Sequence, residues 1–470
     1  MKELLTLSLT GVFIMLADML NIKRVSFLLV LLGLATTISF CIYDFGIFQR
    51  ITTMMAFDKY ANAFTLVMCG ATFLWLLMSE DYFSKMSVST DRYALVMFIL
   101  AGGFLMLSFT NLVVLFLGIE ILSVSLYVLA GSNKSDISSN EAALKYFLMG
   151  AFASGFLLFG MALIYGYTGN LDLERVRYAL STKFATEGIN PIVTIGTLMI
   201  LIGIGFKISA APFHFWAPDV YQGSPTPITA FMATIVKMVA FAALYRLFAN
   251  YFAPAMDAWG DVVVAMSVLT LLIGNVSAVM QTDAKRMLAY SSISHAGYML
   301  LAVVSANSES DNSILFYTAA YSVATILGFL VLYIVSEKTG STSISSFNGL
   351  GKKNPVLAGA MTLSLLSMAG IPPLSGFMAK YFIFANAISQ GYMGLVLFAI
   401  AMSLVGVYYY FKIIIVMYFT EISENIANPD ISGTERGKFQ TNALQNVLIA
   451  ISCIALLVLG LFPQLVYNLL

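Results

Sequence analysis

Apolar runs of about 20 residues, separated by short polar connections, recur along the whole chain. A helix crossing a bilayer needs about that length, whereas a membrane barrel would show strands of roughly ten residues with alternating polarity. The pattern predicts spans near 3–20, 25–43, 62–79, 93–109, 111–130, 141–167, 192–222, 226–249, 261–281, 285–305, 313–336, 355–388, 392–419 and 443–468. The expected fold is an all-α polytopic membrane protein with about fourteen transmembrane helices. Lys2 and Glu3 open the first span and no small-residue cleavage site separates it from the second, so it reads as a retained helix. The long connection 168–190 is expected to hold an amphipathic helix lying in the interface.

Two spans are interrupted in related ways, one at Ala210-Ala211-Pro212 and Pro218, the other at Gly370-Ile371-Pro372-Pro373 with Gly376. Proline removes a backbone donor and clashes with the preceding turn, so each helix should break there. Backbone groups freed at membrane depth survive only where protein or a water-filled cavity meets them, which makes the breaks markers of a route. They lie 160 residues apart, each in the fourth helix of a run of five, 93–249 and 261–419. That spacing predicts two five-helix repeats of inverted topology, each with one broken helix, preceded by a three-helix segment, 1–92, and followed by a loop and last helix, 420–470. The first repeat is assigned an inner half-channel and the second an outer one.

Composition agrees, with 60% hydrophobic residues, 10% charged and a mean hydropathy of +0.88. Twelve Lys and Arg of the connections fall on one side and seven on the other, which predicts both termini on the outer side of the membrane. Zero net charge leaves no footprint for nucleic acid. Cys41, Cys69 and Cys453 stand singly without metal-ligand spacing, and no metal site is expected. The stretch Gly349-Leu350-Gly351-Lys352-Lys353 fails the phosphate-loop pattern, and two histidines are a weak basis for haem. Neither redox chemistry nor nucleotide hydrolysis is legible, so no cofactor is expected in this chain. Moving one charge against about 150 mV costs roughly 3.5 kcal/mol, which a partner must then supply.

Six ionisable residues sit inside the apolar spans: Glu120, Lys145, Lys207, Lys237, Lys380 and Lys412. Such groups in lipid are costly unless hydrated or paired and therefore mark function. Lys145 has a plainer explanation as an i,i+4 partner of Glu141, and Lys412 beside Tyr408, Tyr409 and Tyr410 as a side chain snorkelling to the interface. His214 and Asp219 can equally brace the broken helix. The many Phe, Met and Leu positions read as lipid-facing and core packing, not a quinone pocket.

The strings GIEILSVSLYVLAG (118–131), YFLMGAFASGFLLFG (146–160), FKISAAPFHFWAPDVYQGSPTPITAFMA (206–233), YSSISHAGYML (290–300) and GIPPLSGFMAKYFIF (370–384) resemble the antiporter-like subunits of bacterial respiratory complex I, the proton-translocating NADH:quinone oxidoreductase, and among them the subunit N family. Sister families carry a glutamate where Lys380 stands here, or a long lateral helix after the last span. The resemblance implies a non-redox subunit of a translocase in which Glu120, Lys207, Lys237 and Lys380 form a proton relay, with Lys145, His214 and His295 as secondary members and Pro212, Pro218, Pro372 and Pro373 as the helix breaks. It implies NADH, FMN, iron–sulfur clusters and quinone in partner subunits, a neighbouring antiporter-like subunit, a redox arm and the lipid bilayer as partners. In this reading Lys207 pairs with Glu120, Lys237 receives the proton, and Lys380 passes it outward with His295 in the middle. Two alternatives stay open: a secondary cation/proton antiporter subunit, which would add intramembrane carboxylates, and a non-conducting scaffold.

Overall fold

The computed structural model describes residues 1–19, 25–51, 54–85, 90–188, 190–420 and 441–470. Side-chain caps set many of the helix starts. Asp58 precedes α3 (Lys59–Ser84), Asn111 precedes α5 (Leu112–Ala130), Asp136 precedes α6 (Ile137–Thr168) and Asp172 precedes α7 (Leu173–Glu187), each accepting from a backbone N–H of the first turn. Asn190 does the same for α8 (Pro191–Lys207), Asp283 for α13 (Ala284–Val304) and Asn354 for α16 (Pro355–Ala369). Proline at the first position of α8 and α16 has no N–H to lose there.

The remaining helices are α1 (Lys2–Met19), α2 (Ser26–Tyr43), α4 (Thr90–Ser108), α9 (Trp216–Gly223), α10 (Thr226–Phe231), α11 (Lys237–Tyr245), α12 (Met256–Val279), α14 (Ser310–Thr339), α15 (Leu350–Lys353), α17 (Ser375–Ser389), α18 (Met393–Phe419), α19 (Ala443–Leu461) and α20 (Gln464–Tyr467). Among the described residues, 11 spans are each long and apolar enough to cross a membrane. With α1 and the two broken helices, α8/α9 and α16/α17, the described residues make fourteen passes, as the hydrophobic pattern predicts. The connection 168–190 folds as α7, which buries Leu173, Val176 and Leu180 on one face and exposes Glu174, Arg175 and Arg177 on the other, in line with an interfacial helix. A short antiparallel hairpin, β1 (Gln49–Ile51) with β2 (Met55–Phe57), carries no signal in the sequence pattern. Lys23, Arg24, Arg436 and Lys438, four of the cations on the expected inner side, lie outside the described residues, as does the loop 421–440.

Both ends sit on one face: Lys2 pairs with Asp44, whose carbonyl accepts from Asn62, and neighbouring Lys59 donates to the Leu470 carbonyl. The two repeats are α4, α5, α6, α8/α9, α10–α11 and α12, α13, α14, α16/α17, α18. Their third helices end alike. Thr168 and Thr339 each bond back to the carbonyl four residues earlier and forward to the one two residues later, and Gly169 and Gly340 follow in left-handed conformation at φ 70° and 69°. Isolated β-bridges recur at equivalent places, Asn111 with Asp172 and Asp283 with Ser343. One cavity is lined by the start of α6 and the end of α14, so these equivalent helices run in opposite directions. The repeats are inverted.

Helices α10–α11, α13 and α14 are buried almost all round, whereas α1, α2, α5, α6, α18 and α19 present apolar side chains outward. Arg246 at the end of α11 is buried against Asp58 (2.6 and 3.1 Å) and donates to the Leu107 carbonyl (2.8 Å), tying the central helix to the first segment. Helices α6 and α8 approach closely because Gly160 and Gly196 face each other: a Cβ at 160 would lie 2.6 Å from the Gly196 carbonyl oxygen. Gly160→Val is expected to cost about 1–3 kcal/mol and lower the midpoint of thermal unfolding in detergent. Gly155→Ala, whose Cβ meets nothing within 4 Å, should leave that midpoint unchanged.

Candidate functional site

Lys207 is the last residue of α8, immediately before the first break. The break itself turns through Ser209, a non-glycine residue at φ 59°, and Pro212. Such backbone persists only where surroundings over-determine it, and clusters at functional sites. The Lys207 ammonium, 5% exposed, donates to Ser123 Oγ (2.9 Å) and Tyr146 OH (3.1 Å) and lies 5.3 Å from the Tyr146 ring centre.

Glu120 departs from the sequence expectation. It is not within ion-pair distance of Lys207, and it sits half-buried near the middle of α5 rather than deep in the bundle. Its carboxylate instead accepts from Ser154 Oγ (2.5 Å) on α6. The cause is helical geometry: Ser123, one turn from Glu120, occupies the face that meets Lys207, while Leu117, Ile121 and Val124 beside Glu120 point outward. A small cavity of about 10 Å³, at the lower limit of what one water needs, is lined by Lys207, Ser123 and Ser154, the last being the donor to Glu120.

Beyond the break, α9 is fastened by ions. Asp219 accepts from Lys145 (3.1 Å) and Arg286 (2.9 Å), and Lys145 also meets Glu141 (2.8 Å). Lys145 and Asp219 therefore occupy a partly solvated ion-pair cluster, which favours the plainer explanation of Lys145. They line a cavity of about 850 Å³ formed by α6, α9, α10, α13 and α14. His214 is buried with Nδ1 unpartnered, one turn before Pro218, and joins no polar chain among the described residues.

Lys237 opens α11 directly after a π-helical stretch, Met232–Val236, the kind of irregularity that often re-aims a functional side chain. Its ammonium, 1% exposed, donates to Ser292 O (2.7 Å) and Ser292 Oγ (2.5 Å). The Tyr221 hydroxyl on α9 lies near Ser209 and Ser292, but Ser209 Oγ has no hydrogen-bond partner among the described residues, so this step is a proximity and not a bonded link. From the adjacent Ser291 a line of polar groups continues: Ser291 Oγ to Tyr410 OH (2.5 Å), Tyr410 OH to His295 Nε2 (3.2 Å), and His295 Nδ1 to Tyr317 OH (2.7 Å). Lys380 lies on α17 past the second break. It donates to Ala369 O (2.8 Å) and Ser403 Oγ (2.7 Å), with the Tyr298 ring 4.9 Å away. A small cavity lined by His295, Tyr317, Tyr321, Ser367 and Gly376 occupies the space at this break.

Residues 110–406, most of the chain and all of the site but Tyr410, match the family model described as NADH:quinone oxidoreductase/Mrp antiporter, TM. The chain belongs to that family. A relative from Cytophaga hutchinsonii named NADH-quinone oxidoreductase subunit N is 37% identical over 468 residues, covering 99% of this chain and 98% of its own. A chain of respiratory complex I from Thermus thermophilus superposes with a TM-score of 0.81 at 33% identity, covering 99% of this chain and 98% of that one. A chain of the Mrp complex from Dietzia sp. shares the fold, with a TM-score of 0.84 at 22% identity over 100% and 96% of the two chains.

For this member of the NADH:quinone oxidoreductase/Mrp antiporter family, the structure brings Lys207, Lys237, His295 and Lys380 into the interior between the two breaks and leaves Glu120, Lys145 and His214 to the side. Lys412 donates to the Gln281 carbonyl (2.9 Å) just past α12, a snorkelling, helix-capping role. Sequence reasoning missed Lys285, which stands beside Arg286 at a polar connection. It is buried at 5% exposure on the wall of the large cavity and donates to the backbone carbonyls of Gln222 (3.1 Å) and Ser224. It missed Ser291, Ser292, Tyr317 and Tyr410 as well. Among the described residues no group of His, Cys, Asp and Glu is arranged to hold a metal ion.

Proposed function

We propose that this chain is the proton-translocating, non-redox membrane subunit of an NADH:quinone oxidoreductase. The supporting observation is the run of neutral acceptors and ammonium groups through the centre. Lys207, Lys237 and Lys380 bond hydroxyls and carbonyls only, none lies within ion-pair distance of a carboxylate among the described residues, and Ser291, Tyr410, His295 and Tyr317 fill the stretch between the last two.

Lysine suits such a task because a desolvated ammonium gives up its proton readily, whereas arginine stays charged. Hydroxyls and a neutral imidazole both donate and accept, so a proton can enter at one end of the line while another leaves at the far end. Protons enter from the inner side through the 850 Å³ cavity, reach Lys207 beside the first break, pass by Tyr221 to Lys237 and Ser292, and leave by His295 and Lys380. Residues 93–249 form the inner half-channel and 261–419 the outer. Glu120 acts on Lys207 by charge alone, since neither group touches the other.

The energy comes from quinone reduction in partner subunits that hold NADH, FMN, iron–sulfur clusters and quinone. The chain lies in a bacterial inner membrane beside another antiporter-like subunit, with both termini on the periplasmic side. The fold shared with an Mrp complex makes a sodium-coupled antiporter the reading to exclude. A sodium ion prefers hard oxygen ligands, commonly carboxylates, and the central line offers none. NADH-driven acidification of inverted vesicles should therefore persist when sodium is replaced by choline, and no ²²Na⁺ should accumulate. Sodium-dependent acidification with ²²Na⁺ uptake would establish the antiporter reading instead.

A further inference from the structure

Helix α19 is largely open to the outside, with Ile454, Leu461 and Phe462 exposed, yet at one point its backbone reaches the second break as closely as two chains can. A Cβ at Gly460 would lie 1.9 Å from the Pro373 carbonyl oxygen and 2.7 Å from the Leu374 carbonyl carbon. No side chain fits there. Seven residues later the Tyr467 ring stacks on Phe382 at 4.0 Å and 28°, and its hydroxyl donates to Glu309 (3.2 Å) at the start of α14.

These two contacts bracket Lys380. Pro373 and Leu374 lie between Ala369, whose carbonyl holds the ammonium, and Ser375, the first residue of α17. Phe382 lies two residues beyond the lysine on the same helix. The break also wraps the side chain itself, since a Cβ at Gly370 would meet Lys380 Cδ at 3.0 Å and Nζ at 3.3 Å. The ammonium has two acceptors on two different elements, Ala369 O and Ser403 Oγ, at 2.8 and 2.7 Å. A displacement of about 1 Å would put either beyond hydrogen-bond reach.

We propose that the segment from Gly460 to Tyr467 is a positioning strap for Lys380, holding the second break and α17 so that both acceptors meet the ammonium. The proposal rests on the reading of Lys380 as a relay group. Its prediction is that residues remote from the polar line control transfer through it: a misplacement of this size lowers a reaction rate by roughly ten-fold to 100-fold.

The test uses the whole assembled complex in inverted vesicles, with NADH-driven acidification recorded across pH. Gly460→Ala and Tyr467→Ala are expected to lower acidification by roughly ten-fold and to shift its pH profile, which a loss of packing alone would leave in place. Tyr467→Phe, which keeps the stacked ring, and Gly359→Ala, whose Cβ meets nothing within 4 Å, should match the unaltered chain. If Gly460→Ala fails to assemble, Tyr467→Ala against Tyr467→Phe decides. Wild-type rates in the strap variants, or lowered rates with an unmoved pH profile, overturn the strap. Lys380→Ala separates the two claims: if it transports normally the relay reading falls and the strap with it, and if it alone loses transport only the strap falls.

Discussion

Lys237→Met is expected to lower NADH-driven proton transport roughly 100-fold while the complex still assembles, the lower end of what a positioned proton-transfer group contributes. Lys237 is buried on every side, and methionine matches most of its length and volume, so packing around α11 changes little. What disappears is the ammonium that holds Ser292 on the far side of the first break. Ser292 O and Oγ then face a thioether, a weak acceptor with no proton to give. Lys237→Arg should fail as well, because a guanidinium keeps its charge through the cycle and leaves the line permanently occupied. Acidification of inverted vesicles, normalised to assembled complex, checks both.

Lys207→Ala is expected to remove transport to a similar extent, and the contrast with Glu120→Gln is the informative part. If Glu120 and Lys207 formed a tight buried ion pair, removing either partner would be about equally severe, since the other would be left as an uncompensated charge. The structure gives Lys207 its own neutral acceptors, Ser123 and Tyr146, and gives Glu120 its own donor, Ser154. Glu120→Gln keeps an acceptor for Ser154 and removes only a charge acting at a distance. Its effect should be several-fold, well short of the roughly 100-fold loss expected for the lysine. Equal losses in the two variants would mean that the charges meet directly during the cycle.

The passes and the breaks were legible because both follow from strong local chemistry. Twenty apolar residues have no stable alternative to a membrane helix, and Pro212 or Pro372-Pro373 cannot continue one. The inversion was legible only as a spacing. Its physical signature, the matched ends at Thr168-Gly169 and Thr339-Gly340, gains meaning once the helices are seen to run in opposite senses.

Pairings were harder to read, because they depend on which face of a helix meets which neighbour. Glu141 as the partner of Lys145 follows from one helical turn, but Asp219 lies 74 residues away and Arg286 farther still. Glu120 and Lys207 are opposite charges in different spans, yet a difference of about 60° around α5 decides that Ser123 and not Glu120 faces the lysine. Lys285 follows Asp283 in what looks like a charged loop. It is buried because α9 ends nearby and presents the Gln222 and Ser224 carbonyls to its ammonium, an arrangement no local pattern encodes. The hydroxyl line was present as letters in YSSISH, but serine in a span more often bonds its own helix, as Ser123 does with Ile119.

The most direct measurement records NADH-driven quinone reduction and vesicle acidification side by side in inverted membranes carrying Lys207→Ala, after assembly of the complex has been verified. The account predicts that both rates collapse together, because electron flow is coupled to an obligatory proton route through this lysine. Both rates remaining at the level of the unaltered chain would contradict it and leave the subunit as a scaffold.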